Sequence, residues 1–309
     1  MSVNAALPDG QGAAPIAEVL RHARTRLAEA GVASPRVDAS TLLAFVLEVD
    51  GGELQRRAIL GHGLPPGLAP RFAALLDRRC AREPLQHLTG RAPFRRLDLA
   101  VGPGVFVPRP ETELVADLAI TACTGAARPL VVDLCTGSGC LALALADEVP
   151  GAEVHAVEVS EDALPWARRN IEATGLGVLL HHDDVTGPLD TLADLRGSVD
   201  VVVSNPPYVP PDAVPVDVEV ARHDPRAALY GGGEDGLEIP RAVIAAAARL
   251  LRPGGSLVIE HADVQSAALV AHLEVAQTGA WTDVAAHTDL TGRPRAVTAR
   301  RAGPRVEAS

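Results

Sequence analysis

The chain of 309 residues contains no lysine; all 28 of its strongly basic residues are arginine. We read this as a compositional bias of the genome. It does remove the lysine of a phosphate-cradling P-loop, which argues against a nucleoside triphosphate ligand. Cysteine is sparse. Of Cys80, Cys123, Cys135 and Cys140 only the last two are close in sequence, and no Cys/His set has zinc-ligand spacing. No metal site is expected, and the thiols read as small buried side chains. Positive charge is in deficit: the formal net charge is −11, which argues against a broad surface for nucleic acid or anionic membrane, though not against a local basic patch. No stretch approaches about eighteen uninterrupted apolar residues, so no transmembrane helix is expected. The opening "MSVNAALPDGQGAAP" has neither a charged start nor a long apolar run. No secretory signal is expected, and cytoplasm is the default location.

What is present suffices for a sizeable core, since 47% of the residues are hydrophobic. Residues 1–13 read as a disordered lead. "IAEVLRHARTRLAEAG" places Ile16, Val19, Leu20 and Leu27 on one helical stripe that stops at Gly31. "SPRVDASTLLAFVLEV" offers Ser34 as N-cap and Pro35 at the first helical position. "PPGLAPRFAALLDRRCARE" supplies another helix. Residues 14–84 therefore form a helical domain. Residues 85–108, with alternation, glycines and a proline stop, read as a β-hairpin hinge. From residue 109 to 302, after one more helix, strands alternate with helices, which argues for a mostly parallel, doubly wound sheet. Residues 303–309 read as a frayed tail.

The stretch "VVDLCTGSGC" leaves a strand and opens a helix, and Gly137 and Gly139 permit a tight turn and close approach to a ligand. Alone, such a pair of glycines can simply let a helix pack on its strand. Two acids sharpen the reading. Asp133 lies four residues before Gly137, and Glu158 ends the next strand 19 residues after Gly139, where doubly wound sheets hold ribose hydroxyls. Ala142 completes the relaxed form of the dinucleotide fingerprint, so the loop itself does not exclude a dinucleotide. A carboxylate at Asp133 would repel a pyrophosphate and favours a ligand with a ribose and a cationic amine. Asp183 or Asp184 is placed to meet an adenine amino group and Val185 to pack on the ring; a solvated turn explains those aspartates equally well.

"VVVSNPPYVP" then places Asn205, Pro206, Pro207 and Tyr208 at the mouth of another strand. The prolines have fixed φ and no N–H, so the turn presents acceptors without competing donors. The order of glycine loop, strand-end acid and N-P-P-Y resembles class I methyltransferases that alkylate a planar nitrogen. The flanks narrow it: "EPLQHLTGRAPF", "GVFVPRPETE", "DPRAALYGGGEDGL", "LRPGGSLVIEHADVQ" and "DLTGRPRAVTAR". Across residues 15–301 the chain resembles the HemK/PrmC family, protein-(glutamine-N5) methyltransferases that act on peptide chain release factors. The resemblance implies a Rossmann-like class I methyltransferase domain, a seven-stranded sheet with one antiparallel strand, joined by a β-hairpin to a small N-terminal helical domain that docks the substrate. It implies S-adenosylmethionine as cofactor, held by Asp133, Cys135, Thr136, Gly137, Ser138, Gly139, Glu158, Asp184, Val185 and Asn205, with Asn205, Pro206, Pro207 and Tyr208 against the glutamine and Asn205, Pro206 and Tyr208 catalytic. The sequence departs from the family pattern at Cys135, often glycine, at Glu158, commonly aspartate, at His87, often tyrosine, and at "RHDP", usually aromatic-Glu-Pro.

The implied partner is a release factor presenting a Gly-Gly-Gln loop, with no membrane and no direct nucleic-acid substrate. Three other readings share parts of this pattern. A ribosomal-protein glutamine methyltransferase would use the same turn. A nucleic-acid adenine methyltransferase would too, but the negative charge and the absence of an aromatic-basic strip weigh against it. A non-catalytic cofactor-binding module would not need the N-P-P-Y clamp. Phe94 and Phe106 read as site walls or core. Arg109 and Glu111 read as structural, Glu260 and Gln265 as a support for the substrate loop or, more simply, a solvated strand end, and His181 and His182 as a strand end without metal partners. Arg71, Arg78, Arg79, Arg82, Arg91, Arg95 and Arg96 read as a solvated face or a docking surface.

Overall fold

In the computed structural model, which describes residues 13–215, 217–275 and 280–303, the stripe from Ile16 to Leu27 is buried along one side of α1 (Ile16–Glu29). The expected lead, apart from Ala13, and the tail beyond residue 303 lie outside the described residues. Helix α2 (Pro35–Leu47) starts at proline, but the Ser34 side chain makes no capping bond. The pre-set φ of Pro35 begins this helix without that help. Helix α3 (Gly51–Ile59) has two glycines in its first turn, and the Asp50 carboxylate compensates by accepting the Glu53 N–H at 2.7 Å. Helices α4 (Ala69–Cys80) and α5 (Leu85–Thr89) complete the series, so the stretch read as a hairpin opens with a helical turn. Leu27, Leu42, Leu43, Leu54 and Phe72 form the shared core.

The described residues up to Gly90, together with Asp217–His223, form one compact unit, and the remainder form a second. Helix α9 (Val218–His223) thus belongs with helices more than a hundred residues upstream. Charge holds it there. Arg79, 7% exposed, donates to Asp38 at 2.7 Å and to Glu219 at 2.8 Å. Arg82 grips both oxygens of Glu219 at 2.7 Å. Burial opposes the charge on Glu219, but bonds from Arg82, Asp217 and Arg79 hold its carboxyl well below the usual range. The arginines read as a solvated face are therefore mostly paired. Arg78 meets Glu83, Arg91 meets Asp98, Arg95 meets Glu148, Arg96 meets Asp147, and Arg79 is interior.

The second unit opens with the antiparallel hairpin β1 (Arg91–Phe94) and β2 (Leu97–Ala100). There follow α6 (Thr112–Ala122), β3 (Leu130–Leu134), α7 (Cys140–Glu148), β4 (Glu153–Glu158), α8 (Leu164–Thr174), β5 (Val178–His182) and β6 (Val199–Ser204). After α9 come α10 (Arg226–Leu229), α11 (Glu238–Leu250), β7 (Leu251–Glu260), α12 (Ser266–Val275), β8 (Trp281–Thr288) and β9 (Pro294–Arg301). They build one seven-stranded sheet of order β5-β4-β3-β6-β7-β9-β8, in which β9 alone runs opposite to the other six strands. Val199, Val201, Val202 and Val203 of β6 are all buried, because helices cover both faces of a parallel sheet. One core contains Val202, Leu134 and Ile244, and the other Val201, Leu143 and Ala116. The chain builds from β3 outward to β5, then returns to the other side of β3 as β6. The crevice at such a reversal, beyond the carboxyl ends of the strands, is where open α/β sheets hold ligands. Among the described residues, no helix is long and apolar enough to cross a membrane.

Arg79→Met should destabilise the protein by about 3 kcal/mol, because it leaves the buried Asp38 without its partner. Urea unfolding measures this; a loss below about 1 kcal/mol would show that Asp38 is satisfied some other way.

Candidate active site

The strand registers fix which groups meet at the crevice. Leu134 of β3 pairs with Val157 of β4 on one side and Ser204 of β6 on the other, and Ser204 pairs with Ile259 of β7. One residue further along each strand stand Glu158, Cys135, Asn205 and Glu260. Four strand ends thus meet in a row across the switch point, with the glycine loop and the N-P-P-Y turn side by side.

The loop after β3 bends through three left-handed residues: Cys135 (φ 62°), Gly137 (58°) and Gly139 (86°). Left-handed backbone favours glycine, so Cys135 carries strain that a glycine there would not; the residue is partly buried, and desolvation raises the pKa of its thiol. Asp133 is fully buried. Its Oδ2 accepts from the Thr136 hydroxyl at 2.5 Å and the Ala142 N–H at 3.1 Å, while Oδ1 is buried with no partner. Burial pushes its carboxyl up to about 7 despite those two bonds. The buried Ser138 hydroxyl is also unpartnered. The Thr136 N–H donates to Val157 O, stitching the loop to β4. Glu158 accepts from the N–H groups of Gly137 (2.8 Å), Val159 (3.0 Å) and Ser160 (2.8 Å). A carboxylate has about four acceptor positions, so capacity for one further donor remains. Open acceptors at Asp133 and Glu158 with a hydroxyl at Ser138 suit a ligand bearing an amine and ribose hydroxyls. At the next strand end, Asp183 is engaged by Thr191 and by the Asp184 N–H. Asp184 is exposed and accepts the Thr186 N–H, whereas Val185 is buried in the core beside Leu134 and Val157.

On the other side of the row, Asn205 donates its side-chain NH₂ to the Thr112 hydroxyl at 3.2 Å. Its carbonyl oxygen is thereby left to the crevice. Tyr208 donates its hydroxyl to Glu260 at 3.3 Å, and burial pushes its phenol pKa up. The backbone behind the turn is fully engaged. The N–H groups of Tyr208 and Val209 donate to Leu229 O, and Gln265 Nε2 donates to Tyr208 O at 2.7 Å and Asp235 O at 2.9 Å. Glu260 and Gln265 are therefore not a solvated strand end: they are 2% and 4% exposed and brace the turn. The sequence "GGGEDG" finds its reason here. A Cβ on Gly231 would lie 1.9 Å from Gly236 O and 2.6 Å from Pro207 O, and one on Gly236 would lie 2.4 Å from Tyr208 O. Both must be glycine for the segment to pack on the turn. Glu260, Gln265 and that repeated glycine are the sequence signals for this support; Thr112 gives none.

The remaining candidates fall outside the row. Phe94 is core; Phe106 lies under the Arg109 guanidinium at 5.0 Å. Arg109 also pairs with Asp224 at 2.5 Å, so the "RHDP" variant still supplies a carboxylate to that arginine. His181 meets His155 at 2.9 Å with stacked rings, and among the described residues no group of His, Cys, Asp and Glu could hold a metal.

Two family models match the chain, the PrmC N-terminal domain over residues 18–90 and the methyltransferase small domain over residues 91–223. With the doubly wound sheet and its glycine loop, they define a Rossmann-like methyltransferase carrying an N-terminal helical unit. The chain is 52% identical to the release factor glutamine methyltransferase of Streptomyces coelicolor, over 94% of this chain and 99% of that one. It is 50% identical to that of Mycolicibacterium smegmatis, over 90% and 95%. The chain belongs to the release factor glutamine methyltransferase family.

Gly231→Ala is expected to push the N-P-P-Y backbone out of place, lowering the melting temperature by several degrees and methyl transfer by about tenfold or more. A variant with wild-type melting and turnover would show that the segment yields without moving the turn.

Proposed function

We propose that the protein transfers the methyl group of S-adenosylmethionine to the side-chain nitrogen, N5, of the glutamine in the Gly-Gly-Gln motif of a peptide chain release factor. The observation that carries this reading is the unclaimed Asn205 carbonyl, aimed by the bond to Thr112 and flanked by a donor-free proline pair, one strand away from the glycine loop. Membership of the family supports the choice of glutamine over adenine, a choice that the turn alone leaves open. Work on release factors fits a cytoplasmic location.

The bound cofactor supplies an already activated methyl on a sulfonium. The acceptor is an amide whose nitrogen lone pair is delocalised into its carbonyl, so alignment matters more than a strong base. In this reading Asn205 Oδ1 and the Pro206 carbonyl each accept one N–H of the glutamine amide. They aim the nitrogen and favour the positive charge that grows on it during transfer. Pro207 brings no N–H to compete. Tyr208 packs its ring against the amide plane, held by its bond to Glu260. The proton leaves after transfer. Glu158 takes a ribose hydroxyl and Asp133 the cationic amine. The backbone of Cys135, Thr136, Gly137, Ser138 and Gly139 lines the approach; Asp184 meets the adenine amino group and Val185 supports its ring. The product left in the site is S-adenosylhomocysteine.

Asn205→Ala should cut methyl transfer by about 10²–10³-fold or more while cofactor affinity, measured by calorimetry, stays within about twofold. Unchanged turnover would sink the role of Asn205. Glu158→Ala should instead weaken cofactor binding about tenfold or more, the loss of a charged hydrogen bond to a ligand. For the substrate, mass spectrometry of a purified release factor and ribosomal proteins after incubation with enzyme and cofactor should find one added methyl on the Gly-Gly-Gln glutamine. Methyl on DNA with those proteins unmodified would overturn the proposal.

A further inference from the structure

Behind the N-P-P-Y turn lies a buried polar chain. Thr112, the first residue of α6, is 1% exposed, and Glu260, the last of β7, is 2% exposed. Asn205 donates to the Thr112 hydroxyl, Tyr208 donates to Glu260 Oε1, and Thr112 stands close enough to Glu260 to stabilise its charged form. Oε2 of Glu260 is buried without a partner.

A threonine hydroxyl has one proton and two lone pairs. If it accepts the Asn205 NH₂, its own proton must go elsewhere, and Glu260 is the carboxylate it faces. A side-chain amide rotated by half a turn keeps its shape but exchanges oxygen for NH₂. With the NH₂ toward the crevice, Asn205 would oppose a substrate amide instead of accepting from it. We infer that Glu260 acts through Thr112 as a positioning residue that fixes which end of the Asn205 amide faces the substrate, while directly anchoring Tyr208. One interior carboxylate would thus set both ends of the acceptor clamp. This inference rests on the methyl-transfer reading of the same site.

The ionisation of Glu260 adds a readout that a purely structural brace would lack. Burial pushes its carboxyl up to about 7, against the nearby Thr112 hydroxyl, the Arg295 charge on β9 and the Tyr208 hydroxyl that bonds it; Glu111 beside α6 raises it further, and Cys140 of α7 is also in its field. Protonated, Glu260 becomes a donor and no longer claims the Thr112 proton, so the preference for the productive amide orientation is lost. Turnover at saturating cofactor should therefore rise with pH through neutrality, and Glu260→Gln should flatten that step.

The chain holds only three asparagines, Asn4, Asn170 and Asn205. Labelling asparagine alone with ¹⁵N leaves three side-chain NH₂ signals, and Asn205→Ala assigns the one of interest. In wild-type protein and in Thr112→Ser, hydrogen exchange at that NH₂ should be slowed about tenfold or more relative to a free amide; in Thr112→Val the protection should vanish. In parallel, Thr112→Val should lose about tenfold or more in kcat with cofactor affinity within about twofold, and Thr112→Ser should stay within about threefold of wild type. Retained protection or near-normal kcat in Thr112→Val would overturn the inference, as would a Ser variant as impaired as Val. If Thr112→Val does not fold, Glu260→Gln decides: a pH step that persists unchanged rejects the role of Glu260. Wild-type enzyme that left release factors unmethylated would reject the proposed function instead, while the NH₂ exchange would still test the orientation of Asn205.

Discussion

The parallel pairing of β3 with β6 is the constraint on which the site depends. Neither the glycine loop nor the N-P-P-Y turn has any reason in sequence to meet the other, since about seventy residues separate them. The pairing of Leu134 with Ser204 brings their strand ends together, and the valines that fill both faces of β6 hold that register against slippage. Because the neighbouring strands are in register too, Glu158 and Glu260 arrive at the outer positions of the same row.

Two carboxyls in this region are held in an unfavourable setting. Asp133 and Glu260 are both buried, both have one unpartnered oxygen, and both have their carboxyl pushed up to about 7 by burial. The sign of the linkage is clear. Groups raised above their unfolded values of 3.8 and 4.5 contribute stability that is complete below those values and lost as pH rises through about 7. Charging them at neutral pH therefore opposes folding. The two hydrophobic cores on the faces of the sheet must supply the surplus that lets these groups persist.

The parts of this arrangement legible in sequence are those written in local pattern. The strand–loop–helix of "VVDLCTGSGC", the acid ending the next strand and the proline turn each carry their own signal, and the sheet follows from alternation. What escaped depends on distant packing. Glu260 and Gln265 look like a solvated strand end until α6, β9 and the turn itself cover them. Thr112 looks like an ordinary first residue of a helix. Helix α3 begins with two glycines, poor helix formers, and exists because Asp50 caps it. The ion pair of Arg79 with Glu219 spans 140 residues, a separation at which neither charge announces the other.

Helix α9 gives the chain an awkward genealogy. The helical unit is not contiguous: one of its helices is encoded after β6, within the stretch that runs on from the N-P-P-Y turn. A single recombination at Gly90 would leave the upstream helices with Arg79 and Arg82 stripped of Glu219, and the downstream half with a charged helix lacking the arginines that hold it. The two units can be exchanged between relatives only as a pair, so changes in the upstream helices must evolve in step with the segment following the turn.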